Sequence, residues 1–141
     1  MKIRADRYAI VSASALCPAC GRWTHVVALM APQHHERLGE QGWEHVAERA
    51  TVFYVTELSA SVSRRLASLS PWYRKATEDP ETCFANHCEH CAQTLGDRDL
   101  HCEPGGSFQP ETVGEAQAIS LWDIDEALDA DASGFSHDPA F

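Results

Sequence analysis

Residues 8–30 of the chain read Tyr8-Ala-Ile-Val-Ser-Ala-Ser-Ala-Leu-Cys-Pro-Ala-Cys-Gly-Arg-Trp-Thr-His-Val-Val-Ala-Leu-Met30. Two runs of β-branched, aromatic and small side chains, Tyr8–Leu16 and Trp23–Met30, flank the short turn Cys17–Gly21. Such runs on either side of a tight turn are typical of a β-hairpin. The sequence therefore predicts a hairpin whose turn is a cysteine loop.

The cysteines of this turn form the first of two Cys-x-x-Cys pairs, Cys17 with Cys20 and Cys88 with Cys91. Two thiolates three positions apart on a tight turn can hold one metal ion at ~2.3 Å, and nearby backbone N–H groups stabilise the sulfur charge. Two such turns brought together give a tetrahedral site with four sulfur ligands, which suits Zn²⁺ and leaves no open position. The spacing therefore predicts a structural zinc site formed by all four residues.

Other interpretations of the cysteine pairs stay open. A thioredoxin-like redox pair opens a helix after a strand, whereas the residues after Cys20 favour a strand. Four thiolates also suit iron, and ordinary buried thiols need no ligand. The 67 residues between Cys20 and Cys88 exceed the ~15–20 of compact zinc fingers, which an inserted strand-helix segment between two halves of a zinc ribbon explains.

The segment between the two pairs has one strand and one helix as its clearest signals. Thr51–Leu58 is rich in β-branched and aromatic residues and predicts a strand. In Ser59–Leu69 the apolar residues fall on one helical face and Pro71 ends the pattern, which predicts a helix. The rest of the chain predicts surface loops at Pro32–Gly42 and Trp72–Glu81, a late strand at Ala118–Ile124 and frayed structure in the last ten residues.

These elements together predict an α+β fold similar to a zinc ribbon. Its antiparallel sheet is small, the two cysteine turns form knuckles, and the strand-helix segment is an insertion. The length of 141 residues is close to the ~150 of one ordinary domain, so we expect a single domain over residues 1–141. An acidic C-terminal segment occupies about residues 111–141 of that domain.

The net charge of −10 arises near the C-terminus. Residues 1–98 hold 11 Lys and Arg against 11 Asp and Glu, whereas residues 99–141 hold ten carboxylates and no Lys or Arg. Such a segment repels polyanions such as DNA, and the neutral remainder gives little counterion release. The charge therefore disfavours nucleic acid, and it suits either a solvated acidic end or a surface for a basic partner.

Nucleic-acid binding by a zinc ribbon is nevertheless the alternative function. It would use the basic pairs Arg64-Arg65 and Arg74-Lys75, with Trp72 and its aromatic neighbour available for stacking. Arg64 and Arg65 also fit the solvent side of the predicted helix, so a local basic face is the feature that this alternative requires.

A third and weaker interpretation is a metal-dependent hydrolase. His101, Glu103 and Asp97 follow the second cysteine pair, and a metal ion next to a carboxylate can activate water. Four cysteine ligands, however, leave no vacant position, and thiolates make zinc a poor Lewis acid. The sequence therefore predicts no catalytic residue.

Two further cysteines and two histidines lie in the same part of the chain as the second cysteine pair. Cys83 and Cys102 belong to no closely spaced pair, and we expect both to be unligated thiols. His87 and His90 lie beside the cysteines of the second pair and form an alternative donor set, although we expect them to make hydrogen bonds around the site or surface contacts instead of binding the metal.

The N-terminal residues bear on location. No apolar run approaches the ~18–20 residues needed to cross a bilayer, so no membrane span is predicted. Lys2, Arg4 and Arg7 precede the first apolar stretch as in a secretory leader, but Asp6 interrupts the pattern and Leu16 is a poor cleavage position. We therefore expect a cytoplasmic protein, in which paired cysteines more often bind metal than form disulfides.

Two distinctive blocks of sequence lie along the chain. The first is Cys17-x-x-Cys20 with Val26-Val-Ala-Leu29, and the second is Asn86-His-Cys-Glu-His-Cys91 with Leu100-His-x-Glu-Pro-Gly-Gly106. This pattern resembles a group of uncharacterised bacterial zinc-ribbon-like proteins. The resemblance implies that the four paired cysteines are the metal ligands, and it implies no activity. Two positions depart from the pattern, since Ala92 stands where glycine is expected and Cys102 where an acidic residue is expected.

The sequence thus predicts a small zinc-stabilised module that binds another protein. Zn²⁺ has a structural role in this prediction, because it ties together residues that are far apart in the chain.

Overall fold

The computed structural model describes residues 1–76 and 83–141, and strands dominate them. Of the described residues 48% lie in strands and 16% in helices. The strands are β1 (Lys2–Ala5), β2 (Tyr8–Leu16), β3 (Trp23–Ala31), β4 (His35–Gly39), β5 (Gly42–Val46), β6 (Ala50–Leu58), β7 (Tyr73–Lys75), β8 (Phe84–His87), β9 (Thr94–Leu95), β10 (Ser120–Ile124) and β11 (Leu128–His137). The helices are α1 (Ala60–Leu69), a π-helix (Arg98–Cys102) and α2 (Val113–Gln117).

Eight of these strands form one curled antiparallel path in the order β10-β2-β3-β6-β11-β1-β4-β5. A branch leaves the path at β6. The start of β6 pairs with the end of β3, whereas Val55 further along pairs with Phe84 of β8, and β8 pairs in turn with β7 and β9. The branch carries the second cysteine pair directly after β8.

This sheet shows that the predicted α+β, zinc-ribbon-like fold is wrong. One reason is the hairpin of β4 and β5, which lies where the sequence predicted a surface loop at Pro32–Gly42. Its side chains are mostly exposed or half-buried, and its apolar residues Leu38, Trp43 and Val46 form no alternating pattern along either strand. The two cysteine turns lie at the margin of a large sheet and do not organise a small one.

Strand β11 is the other large departure, because the last ten residues were predicted to be frayed. It lies between β6 and β1, in the interior of the sheet. Leu128, Ala130 and Ala132 are buried on one face while Asp129 on the other is exposed. The strand was missed because its inward residues are mostly alanines and its outward residues are acidic, a composition that resembles a solvated tail.

Several local predictions are confirmed. The first hairpin is formed by β2 and β3 in continuous register from Ala9↔Met30 to Leu16↔Trp23. The predicted inner strand and helix correspond to β6 and α1, and β10 confirms the late strand. The predicted loop at Trp72–Glu81 begins instead with β7, and its residues 77–81 lie outside the described residues. Within the described part of the chain, every helix is too short or too polar to cross a bilayer.

Two apolar cores lie on opposite faces of the central strands. On β3, for example, Val27 and Leu29 belong to the first core, while Val26 and Ala28 belong to the second. The first core also holds Val62 and Leu66 of α1. The second holds Cys17, Cys88, Leu95, Leu100 and Phe108, so two cysteines of different pairs are part of it. Burial on both faces explains why β2 and β3 are continuous apolar runs.

Asn86 of β8 fills a gap between the branch and the main sheet. Its side-chain oxygen accepts from the Val27 N–H at 2.9 Å, and its side-chain nitrogen donates to the Val27 carbonyl at 2.9 Å. All of these groups are buried. The amide therefore takes the place of a neighbouring strand beside β3 and fixes β8 two residues before Cys88.

Replacing Asn86 with Ala should lower the free energy of unfolding by about 2–4 kcal/mol, because the buried Val27 N–H and C=O both lose their partner. Urea unfolding followed by circular dichroism measures the change. Gln93→Ala is the matched control, since that side chain is exposed and only the backbone of this residue contributes hydrogen bonds. Equal stability of the two variants would contradict this role for Asn86.

Candidate metal centre

The structure brings the two cysteine pairs together. The sulfur atoms of Cys17, Cys20, Cys88 and Cys91 all lie within 4.8 Å of one another. The closest approaches cross between the pairs, at 3.6 Å for Cys17 with Cys91 and 3.7 Å for Cys20 with Cys88. Sulfur ligands at ~2.3 Å from a tetrahedral metal ion lie about 3.8 Å apart. The four cysteines therefore form a tetrad that could bind one metal ion.

The two loops that present these sulfurs have the same backbone design. In the first, the Cys17 N–H donates to the Arg22 carbonyl at 2.9 Å, and the Gly21 N–H donates back to the Cys17 carbonyl at 2.9 Å. The second loop repeats both bonds at 2.8 Å, from Cys88 to Gln93 and from Ala92 to Cys88. Each loop needs a left-handed residue at its fifth position, with φ of 72° at Gly21 and 64° at Ala92.

Direct contacts join the second loop to the start of β3. The Glu89 N–H donates to the Thr24 hydroxyl at 3.0 Å. The His90 ring nitrogen Nε2 lies 3.1 Å from the Trp23 carbonyl. His90 thus ties the second loop to the start of β3, and Thr24 and Trp23 are supporting residues that no pattern in the sequence singles out.

The surroundings of the sulfurs favour unequal ionisation. Burial opposes ionisation of Cys88, but the backbone N–H groups of Cys91 and His90 and the sulfurs of Cys20 and Cys17 outweigh it and lower the pKa of Cys88 to about 6. Thiolate is the form that binds metals.

The partner thiol shows the opposite shift. A hydrogen bond from the Gln93 backbone favours the Cys91 thiolate, but desolvation and the three neighbouring sulfurs raise the pKa of Cys91 to about 11. The Cys88 and Cys91 thiols are therefore shifted in opposite directions, so their ionisation in the same site is in conflict. A bound divalent cation would remove this conflict.

His87 and the two remaining cysteines, Cys83 and Cys102, lie outside the tetrad. His87 is buried, and its Nδ1 lies 3.0 Å from the Ala85 carbonyl and 3.2 Å from the Trp72 carbonyl. Cys102 is exposed at the end of the π-helix, and Cys83 is partly exposed just before β8. Neither thiol is a member of the four-sulfur group.

The three residues considered for hydrolysis have different surroundings. His101 is 3% exposed, with its ring stacked between Phe53 at 4.6 Å and Phe108 at 4.9 Å, measured between centroids. Burial lowers the pKa of His101 to about 3, and its Nδ1 has no hydrogen-bond partner among the described residues. Glu103 is exposed and pairs with Arg98 at 3.4 Å.

Asp97, the third of these residues, is buried beside β6. Its carboxylate accepts from the Tyr54 N–H at 2.9 Å, and Tyr54 has a left-handed φ of 52°. Burial raises the pKa of Asp97 to about 6, and the hydrogen bond from Tyr54 partly offsets the rise. The bond has a local structural purpose, because it stabilises a backbone conformation that side chains of this size rarely adopt.

The basic residues considered for nucleic-acid binding make contacts within the chain. Arg65 of α1 forms an ion pair with Glu126, which lies in the segment after β10. The Arg74 guanidinium lies 5.2 Å from the centroid of the Trp72 ring, and the Lys75 ammonium lies 5.5 Å from the Phe84 ring.

Comparison with known proteins gives no match: no protein-family model, no curated protein and no solved structure matches the chain. The resemblance to bacterial zinc-ribbon-like proteins therefore stays a prediction, and the geometry of the four cysteines is the basis for any functional conclusion.

The fifth position of each loop gives a reciprocal prediction. Replacing Ala92 with Gly should raise the free energy of unfolding of the protein by about 1 kcal/mol, because it relieves a left-handed alanine. Replacing Gly21 with Ala should lower it by a similar amount, since the backbone has the same conformation there. Thermal unfolding of both variants with equal metal content tests this. Destabilisation by Ala92→Gly would contradict it.

A second prediction concerns the pH dependence of stability. His101 stays neutral in the fold. Its contribution to the free energy of unfolding is therefore present above pH 6.5 and is lost as the pH falls toward its folded pKa of about 3. Asp97 acts in the opposite sense. Its contribution to the free energy of unfolding is present below pH 3.8 and is lost as the pH rises through its folded pKa of about 6. The two effects oppose each other between about pH 4 and 6.

Asp97→Asn should therefore lose stability more steeply than the unmodified protein as the pH falls from 6 to 4. The amide oxygen can still accept from Tyr54, but the group no longer titrates. His101→Phe keeps the aromatic stack and should lose less stability over the same range. Urea unfolding as a function of pH measures both, and the cysteine site affects all three proteins alike. Parallel curves for the three would contradict the assignment.

Proposed function

We propose that this protein is a zinc-stabilised module that binds another protein. The observation that carries the proposal is the tetrad, in which four sulfur atoms lie within 4.8 Å of one another. We assign zinc because its structural sites are almost always tetrahedral with four ligands, and it binds thiolates at ~2.3 Å. All four ligands come from the protein, which is typical of a structural site and not a catalytic one.

The position of the tetrad supports a structural role for the ion. It joins the β2–β3 turn to the loop between β8 and β9, across chain separations of 74 and 68 residues at the two closest sulfur contacts. Cys17 and Cys88 are also fully buried in the second core. Binding at such a site supplies on the order of 10 kcal/mol toward folding.

The charge supports a protein partner. The acidic residues 99–141 contribute β10 and β11 to the sheet, and these strands hold the carboxylates of Asp123, Asp129 and Asp131 on a folded surface. A fixed negative surface favours encounter with basic protein surfaces and repels polyanions. Binding to nucleic acid in a salt-dependent gel shift would contradict this part of the proposal.

Zinc content is the direct test. Protein purified under reducing conditions should hold about one zinc per chain by elemental analysis, and X-ray absorption should show four sulfur neighbours at ~2.3 Å. A chelator should lower the thermal midpoint, because removal of the ion separates the two loops. Iron in place of zinc, or nitrogen in the first coordination shell, would contradict the proposed site.

Single substitutions separate the tetrad from the other thiols. Cys88→Ser should lose most of its zinc and much of its stability, since serine is a poor ligand for zinc in a sulfur site. Cys102→Ser is the matched control, because that thiol is exposed and outside the tetrad. Equal zinc content in the two variants would contradict the ligand assignment.

A further inference from the structure

A cleft of about 620 Å³ opens beside the first cysteine loop. Its walls are the ends of the β2–β3 hairpin, β9 with the start of the π-helix, the turn at Gly105–Ser107 and the residues after α2. We call it the Trp23 cleft. Its volume falls within the range of clefts that enclose a ligand or a few side chains of a partner.

The rim of the Trp23 cleft is apolar and exposed. Leu16 and Trp23 are cross-strand partners at the end of the hairpin, and their exposed fractions are 54% and 65%. Ala15 and Ile119 extend the apolar lining inward. Tryptophan is one of the residue types enriched among the few that carry most of the binding energy of protein interfaces.

The charged groups of the cleft are all acidic. Asp99 and Glu115 line it, both are exposed, and no Lys, Arg or His is among the described residues that line it. Neither carboxylate takes part in an ion pair within the described part of the chain. Among the described residues, the Glu115 carboxylate accepts a hydrogen bond from the Thr112 hydroxyl at the start of α2, and the Glu115 N–H donates to that hydroxyl. The two charges are therefore available to a cation from outside.

We propose that the Trp23 cleft binds a segment of a partner protein in which an apolar side chain is flanked by Lys or Arg. This proposal rests on the proposed function and specifies its partner. The apolar side chain packs against Leu16 and the cleft interior, and the basic groups pair with Asp99 and Glu115. An arginine next to the exposed Trp23 ring also gains a cation–π contact.

The metal centre holds the rim of this cleft in place. Leu16 directly precedes the ligand Cys17, and the Trp23 carbonyl lies 3.1 Å from Nε2 of His90 in the second loop. Loss of the proposed ion should weaken the link between the two loops and loosen the end of the hairpin that holds both rim residues. Binding at the cleft should therefore depend on the metal even though the segment does not touch it.

The test uses the full chain loaded with zinc and a display library of short random peptides. Retained peptides should be enriched in Lys and Arg next to an aromatic or aliphatic residue. The most enriched peptide, labelled with a fluorophore, is then titrated by anisotropy at physiological ionic strength. Trp23→Ala should weaken its binding about tenfold or more. Asp99→Asn with Glu115→Gln should weaken it about threefold or more and reduce its salt dependence.

Matched controls exclude general effects of charge and of lost tryptophan. Asp6→Asn with Glu40→Gln changes the net charge equally, at exposed positions that do not line the cleft. Trp43→Ala removes a partly exposed tryptophan from β5, at the other end of the strand path. Both control proteins should bind the peptide as the unmodified protein does, and the metal content of every variant is measured.

The outcomes separate the two proposals. A peptide that binds equally to the cleft variants and the control variants overturns the Trp23 cleft and leaves the proposed function standing. Enrichment of acidic peptides also overturns only the cleft. Retention of no peptide by zinc-loaded protein likewise overturns the Trp23 cleft alone, whereas a chain that purifies without metal overturns the zinc-stabilised module itself.

Discussion

Four sulfur atoms within 4.8 Å of one another set the constraint on which this structure depends. Two unit negative charges about 4 Å apart repel by about 4 kcal/mol even at the effective dielectric of a protein surface. The four thiolates therefore cannot coexist without a cation. A divalent ion turns the repulsion into attraction, so the same side chains that would force the two loops apart become the link that joins them.

The sheet prepares this link before any ion binds. The branch strand β8 pairs with β6 only at Val55, and beside β3 the Asn86 side chain substitutes for a neighbouring backbone. One buried amide with two hydrogen bonds thus sets where Cys88 emerges. Since both Cys17 and Cys88 are also packed in the second core, apolar burial and metal binding favour the same arrangement of the loops.

The sequence predicts the parts of the site that are encoded locally. A Cys-x-x-Cys turn needs only a few adjacent residues, and the β2–β3 hairpin and α1 have strong patterns of their own. Local patterns do not predict the sheet as a whole, because the inward residues of β11 are mostly alanines and the β4–β5 hairpin has no apolar alternation. The role of Asn86 was equally hidden, since a long-range hydrogen bond leaves no local pattern.

Ala92 shows how the two loops differ in what holds them. Gly21 adopts its left-handed conformation without cost, whereas an alanine with φ of 64° does so against its own preference. The second loop is therefore held by its surroundings, namely the Cys88–Gln93 and Ala92–Cys88 backbone bonds and the Thr24 hydroxyl, and a bound metal ion would add to them. His90 belongs to this same loop and contacts the Trp23 carbonyl, so the loop that would gain most from a metal ion also holds the backbone of the largest exposed side chain of the cleft. In such a fold, a metal ion at the tetrad would also steady the rim of the cleft.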